Sequence, residues 1–295
     1  MKAVVETRDL TKRFGNNYAL SGLTMTVPRG HIVGFLGRNG SGKTTTIKIL
    51  LDVIRRTSGE ATILGEPAGS VATRRRIGFL GEDKRLYSYM TVQEIIAFTR
   101  PFFPTWRAET ESRLLADFEL PLSRKVSALS KGMRTKLGLL LNLSRHPELL
   151  ILDEPSEGLD PVMTEQMLQN LVQQAADGTT IFFSSHQVAE VEQIADHVIA
   201  IEKGRVILEG SLDYLRQKFQ RINLVFDDPP PPEAFKGAGV DRVIVRGRTI
   251  SILASSNLDD ITALGPILAA KSVDVQSVGL KELFLEKVKG DDANS

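Results

Sequence analysis

From residue 1 to about residue 210 the chain alternates short, unbroken apolar runs with stretches of helical periodicity. The runs Ile32–Leu36, Leu149–Leu152, Thr180–Phe183 and Val198–Ile201 are bounded by Gly, Pro or polar residues. Strands covered on both faces of a sheet read this way, because neither set of alternating side chains meets water. The stretches between carry helix-start signals. Thr91 and Glu94 stand at capping-box spacing before an apolar run. Asp160–Pro161 reads as an N-cap followed by a first helical residue. The pattern predicts an α/β domain with a mainly parallel sheet over residues 1–215. A smaller α+β domain is predicted over 216–295. It contains the loop DDPPPP at 227–232, a hairpin of Val243–Val245 with Thr249–Leu253, and a helix from Leu258 to about Ala270. A strand near Val273–Val278, a helix Leu280–Val288 and a polar tail GDDANS follow.

Composition narrows the classes. Lys and Arg total 37 against 36 Asp and Glu, a formal charge of +1, so there is no electrostatic footprint for general nucleic-acid binding. At 42% hydrophobic residues the chain has material for a core, which argues against disorder. There is no cysteine, hence no disulfide framework, thiolate metal site or thiolate nucleophile. The richest apolar segment, Leu137–Leu143, is short and interrupted by Gly138 and Asn142, so no membrane span is expected. Residues 1–15 carry no apolar run behind a basic start, so no export signal is expected either.

The chemistry begins at GRNGSGKTT, comprising Gly37, Arg38, Asn39, Gly40, Ser41, Gly42, Lys43, Thr44 and Thr45. It fits the phosphate-loop pattern and lies between an apolar strand and an apolar helix, the context that pattern requires. The glycines let backbone N–H groups turn inward toward phosphate oxygens, and the helix adds the positive end of its dipole. Lys43 is placed to reach the outer phosphates and Thr44 to bind magnesium. Farther on, LLILDEP ends a buried strand in two carboxylates. Asp153 is placed for the magnesium shell, and Glu154 to orient and polarise a water in line with the γ-phosphorus.

With these residues in hand, residues 1 to about 215 closely resemble the ATP-binding subunits of ABC transporters. Leu129–Met133, LSKGM, matches the family signature, usually LSGGQ. SEGLDP at 156–161 resembles the D-loop, and Ser184–His186 the histidine switch. Phe14 in LTKRFG matches the aromatic that stacks on adenine, and Asp196–Gly210 looks like the family's closing strands. The resemblance implies a P-loop NTPase core with an antiparallel β edge and a helical subdomain at about residues 83–145. It implies ATP and Mg2+ as ligands, with Lys43, Glu154 and His186 in the catalytic roles and Thr44, Asp153 and Glu82 around the metal. It also implies a head-to-tail dimer, with itself or with a similar ATPase subunit. In that dimer Ser130 and Gly132 of one copy complete the partner's nucleotide site, and Asp160 crosses the interface. A separately encoded membrane permease would hold the assembly at the inner face of the membrane.

Three departures from the family pattern stand out. Lys131 and Met133 replace Gly and Gln in the signature, and Glu82 replaces Gln in the Q-loop run Ile77–Asp83. Lys131 has two readings, a cation near the partner's nucleotide or a solvated side chain. The Glu82 and LSKGM pattern and the C-terminal domain resemble the exporter branch, whose substrates include antibiotics, lipids and polysaccharides. Tyr87, Tyr89, Phe102, Phe103 and Trp106 read equally as a docking surface for the permease or as subdomain core. The run Arg74–Arg76 reads as solvated surface or, more weakly, as a contact for anionic lipid. The alternative functions are a soluble ATPase of this type acting on a macromolecule and an ATP-timed regulatory module.

Overall fold

The computed structural model describes residues 2–82, 86–235 and 237–293. The chain divides into two compact units, Met1–Glu209 and Gly210–Ser295.

The first unit is built on a six-stranded sheet. Its spatial order is Ile77–Leu80, Leu149–Asp153, Thr180–Ser185, Ile32–Gly37, His197–Glu202 and Arg205–Ser211. The first five run parallel to their neighbours. The four apolar runs of the sequence are four of these strands, and three of them are buried at every position. Helices Lys43–Leu50, Pro161–Ala176 and Val188–Ile194 pack on the sheet and supply the cover that such runs need.

A second, antiparallel sheet is ordered Asn17–Pro28, Ala3–Phe14, Ser58–Ile63, Glu66–Pro67. Val5, Leu10, Leu23, Met25 and Ile63 from this sheet share one core with Val33, Phe35, Phe182 and Ile199 of the parallel sheet. Ile47 of helix Lys43–Leu50 belongs to the same core. The phosphate-loop helix is thus gripped by both sheets.

The helical region contains Val92–Thr99, Ala108–Asp117 and Lys131–Leu143. Thr91 and Glu94 form a reciprocal capping box, and Asp160 and Ser130 cap their helices by accepting from Met163 N and Met133 N. Helix Lys131–Leu143 meets strand Ile77–Leu80 closely, because Gly138 has no side chain to hold Leu80 away.

The second unit is a four-stranded antiparallel sheet ordered Val240–Arg246, Thr249–Ala254, Gln220–Val225, Ser272–Ser277. Its core joins Ile222, Leu224, Ile250 and Ile252 to Ile261 of helix Leu258–Ile267 and to Phe226 and Phe235. The helix stops before Ala270 because Ala269 turns left-handed at φ 61°, with the Ala270 N–H donating back to the Gly265 carbonyl. The sequence reading cuts the chain inside helix Leu212–Lys218. The structure places that helix wholly in the second unit, packed on the last helix. That last helix runs from Leu280 to Ala293, past Val288 where the apolar pattern stops. Asn294 and Ser295 of the tail, and Asp83 of the Q-loop run, lie outside the described residues.

Candidate nucleotide site

Strand Ile32–Gly37 delivers the chain into the phosphate loop, and the loop is shaped by close approaches. A Cβ on Gly37 would lie 2.4 Å from Ser41 Oγ and 2.7 Å from the Ile201 carbonyl. Gly42 has φ 112° and backs onto Leu20 and the Ala19 carbonyl, a position that only glycine fills without strain. Helix Lys43–Leu50 therefore starts with no side-chain cap on its first N–H groups. That leaves an electropositive helix start facing the loop.

Lys43 is almost fully buried. Its Nζ donates to the carbonyls of Gly37 at 2.7 Å and Arg38 at 3.2 Å, and lies 3.1 Å from Glu154 Oε1. Among the described residues Glu154 Oε1 has no hydrogen bond of proper angle, and the buried hydroxyl of Ser41 has no partner. Arg38, Asn39 and Gly40 are exposed and Thr45 is half-buried, while the Arg38 guanidinium stands 4.0 Å from Glu202. An uncapped helix start, a buried ammonium and an orphaned hydroxyl together suit a polyphosphate.

The acid pair closes the other side. Thr44 Oγ1 donates to Asp153 Oδ1 at 3.2 Å. Two hard oxygen donors fit Mg2+ better than a softer metal. Burial pushes the Asp153 carboxyl above its ordinary pKa. Hydrogen bonds from Ser184 and Thr44 work against that, neighbouring Glu154 adds to it, and Lys43 opposes it. Glu154 takes the left-handed backbone conformation at φ 47°. The bend carries its carboxylate to Lys43 on one side and to His186 on the other, where Nδ1 lies 2.9 Å from Oε2. Lys43, Glu154 and His186 therefore form one continuous polar chain. Glu82 is exposed and lines a cavity of about 460 Å³ together with Thr44, Lys48 and Asp153.

Other expected residues lie apart from this cluster. Phe14 is exposed at the hairpin tip, with Lys12 Nζ 4.7 Å from its ring centroid. Ser130 caps its own helix, and Gly132 packs beside the Gly158 carbonyl of the D-loop. Among the described residues no hydrogen bond or ion pair joins Ser130 or Gly132 to the phosphate loop. Lys131 pairs with Glu157 of the D-loop at 2.7 Å, a partner the sequence reading did not provide.

The aromatic cluster splits. Tyr87 and Tyr89 are exposed and linked by ring contacts, through Phe98, to exposed Phe102. Phe103 instead lies under the Arg145 guanidinium at 3.7 Å, and Trp106 donates to Glu111 at 2.7 Å. The basic run splits too. Arg76 holds Glu148 through two hydrogen bonds of 2.5 and 2.9 Å, while Arg74 and Arg75 are exposed.

Ser184, to which the sequence assigns no role of its own, has a hydroxyl that contacts both members of the acid pair.

Comparison with known proteins finds relatives for the first unit. The sequence model of the ABC transporter family matches residues 20–157. An ABC transporter ATP-binding protein of Synechocystis sp. is 35% identical over 223 residues, 71% of this chain and 63% of that protein. The bacitracin transport ATP-binding protein BcrA of Bacillus licheniformis is 37% identical over 223 residues, 74% of this chain and 73% of BcrA. A solved structure of the ATP-binding subunit of an ABC transporter superposes with a TM-score of 0.66 at 32% identity, covering 72% of this chain and 92% of that one. The chain belongs to the family of ABC transporter ATP-binding proteins, P-loop ATPases that drive transport with the energy of ATP hydrolysis.

Proposed function

We propose that two copies of the chain, or one copy and a similar ATPase subunit, close head to tail over two ATP molecules and so drive a separate membrane permease. One observation carries this reading. A single chain holds two helix starts suited to anions, at Lys43 and Ser130, and only the first belongs to the cluster of Lys43, Asp153, Glu154 and His186. The second, with Ser130 and Gly132, is left to serve a nucleotide held by another chain.

In this reading residues Gly37–Thr45 wrap the phosphates. The Lys43 ammonium exchanges two backbone carbonyls and Glu154 for phosphate oxygens, which frees Glu154 to accept the proton of an attacking water. His186 fixes the orientation of Glu154 from the far side. Thr44 and Asp153 would hold Mg2+, with Glu82 reaching in from the adjoining cavity. The ion supplies charge neutralisation on the phosphates. Phe14 offers adenine the ring face away from Lys12. Asp160 lies at the proposed seam as the cap of its helix.

The exposed strip Tyr87–Tyr89–Phe98–Phe102 is the surface we assign to the permease. Contiguous exposed aromatics are enriched where proteins meet. In this reading the pathway belongs to another polypeptide; among the described residues no helix is long and apolar enough to cross a membrane. The LSKGM signature and the similarity to a bacitracin transport protein support export. Residues from about 216 onward serve as an accessory domain.

The direct test is Glu154→Gln. Loss of the base is expected to lower hydrolysis by about 100-fold or more and to leave ATP binding intact. Light scattering should then show a dimer with ATP and a monomer without it. A strictly monomeric ATP-loaded Glu154→Gln protein would contradict the head-to-tail reading.

A further inference from the structure

Strands Leu149–Asp153 and Thr180–Ser185 are parallel neighbours, and their register sets Asp153 beside Ser184. Ser184 is fully buried. Its Oγ donates to Asp153 Oδ1 at 2.7 Å and accepts from the backbone N–H of Glu154 at 2.9 Å. One hydroxyl thus reaches both members of the acid pair from a different strand.

Each contact does something specific. Asp153 Oδ1 receives two hydroxyls, from Ser184 and Thr44, on residues of separate elements, and this fixes the rotation of the carboxylate. The Glu154 N–H sits where the chain leaves the strand at φ 47°, a conformation that a residue with a Cβ keeps only when its surroundings hold it. Ser184 supplies that hold, and the bend is what carries Glu154 to Lys43 and His186. The next hydroxyl along does neither. Ser185 Oγ donates to Glu190 at 2.7 Å and accepts from Gln187 N at 2.9 Å.

We infer that Ser184 is a positioning residue for ATP hydrolysis, its hydroxyl orienting Asp153 toward the magnesium ion and Glu154 toward the attacking water. The inference rests on the nucleotide reading above. Alanine at 184 would leave a buried N–H unpaired and remove a donor from a buried carboxylate. Threonine would keep the hydroxyl, and valine has the shape of threonine without it.

The test uses the full chain as wild type, Ser184→Ala, Ser184→Thr, Ser184→Val and Ser185→Ala, each checked for folding by thermal melting. ATP affinity is measured by calorimetry in EDTA and again with excess Mg2+. The ratio of the two affinities reads the contribution of the metal. Affinity in EDTA should be the same in all five proteins. The gain from Mg2+ should fall about tenfold in Ser184→Ala and Ser184→Val, KM for Mg-ATP should rise by about the same factor, and kcat should fall by about 10- to 100-fold, the size typical of groups that orient metal ligands. Ser184→Thr and Ser185→Ala should keep the Mg2+ gain. A folded Ser184→Ala or Ser184→Val with the wild-type gain and kcat overturns the inference. So does a Ser184→Thr protein as impaired as Ser184→Val, or a wild type whose ATP affinity ignores Mg2+. A wild type that binds no ATP in either condition sinks the nucleotide reading instead.

Discussion

Lys43 is an ammonium held almost out of water and balanced by Glu154 at 3.1 Å. Lys43→Ala removes both the phosphate contact and the counter-charge of a buried carboxylate. A fall of at least about tenfold in ATP affinity by calorimetry is expected, since charge-assisted bonds to phosphate are among the strong ones. A second residue gives a pH signature. His146 sits at φ 46° with Arg107 Nη2 2.6 Å from Nε2 and Gln174 Nε2 3.1 Å from Nδ1. Burial, and next the Arg107 charge, hold its pKa below 6.5, with Asp177 partly opposing. The unfolded chain therefore binds more protons than the folded one below pH 6.5. Stability is flat above that value, falls as pH drops through it, and levels off below the depressed folded value. Asparagine tolerates the left-handed backbone, so His146→Asn should fold. Its melting temperature should drop less than that of wild type between about pH 7 and about pH 5. His197, also held low by burial, leaves a residual slope in both proteins.

Among the elements, helix Val92–Thr99 offers the plainest test. Thr91 Oγ1 accepts from Glu94 N at 3.2 Å, and the Glu94 carboxylate accepts from Thr91 N at 2.8 Å. Thr91→Ala removes the side-chain acceptor for Glu94 N and leaves the backbone N–H of residue 91 on the Glu94 carboxylate, and a loss of about 1 kcal/mol in a denaturant titration is expected. This box was visible in the sequence because its residues are three apart. The strands Leu149–Asp153 and Thr180–Ser185 were visible because burial on both faces writes an unbroken apolar run. The antiparallel strands Ala3–Phe14 and Asn17–Pro28 were harder to delimit. Thr7 is a polar residue in the core, satisfied by Leu23 O and Met25 N, and the pairing carries several register shifts. Both features blur the alternation that marks a half-buried strand. The phosphate loop was legible because it is one contiguous stretch. The role of Ser184 was not, because it depends on which strand lies next to Leu149–Asp153. The Lys131–Glu157 pair was hidden for the same reason, being made between a helix start and a loop 26 residues apart in sequence.

At the scale of the whole molecule, the proposed dimer makes a prediction that no self-contained site can imitate. Each site would combine the Lys43 cluster of one chain with Ser130 of the other. Lys43→Ala spoils the first half, and Ser130→Arg spoils the second by placing a bulky cation at the helix start. Each variant alone should form only dead sites. In a mixed dimer the Lys43→Ala loop faces the Ser130→Arg signature, so one site is doubly damaged. The other combines the intact loop of the Ser130→Arg chain with the intact signature of the Lys43→Ala chain. With a twofold arrangement and random pairing of equal amounts, half the dimers carry one good site of two, so about one quarter of wild-type ATPase activity should return if the sites act independently. The recovery should peak at equal proportions and vanish with either variant in large excess. If each chain completed its own site, both variants would stay dead at every ratio, and ATPase rates across a mixing series separate the two cases.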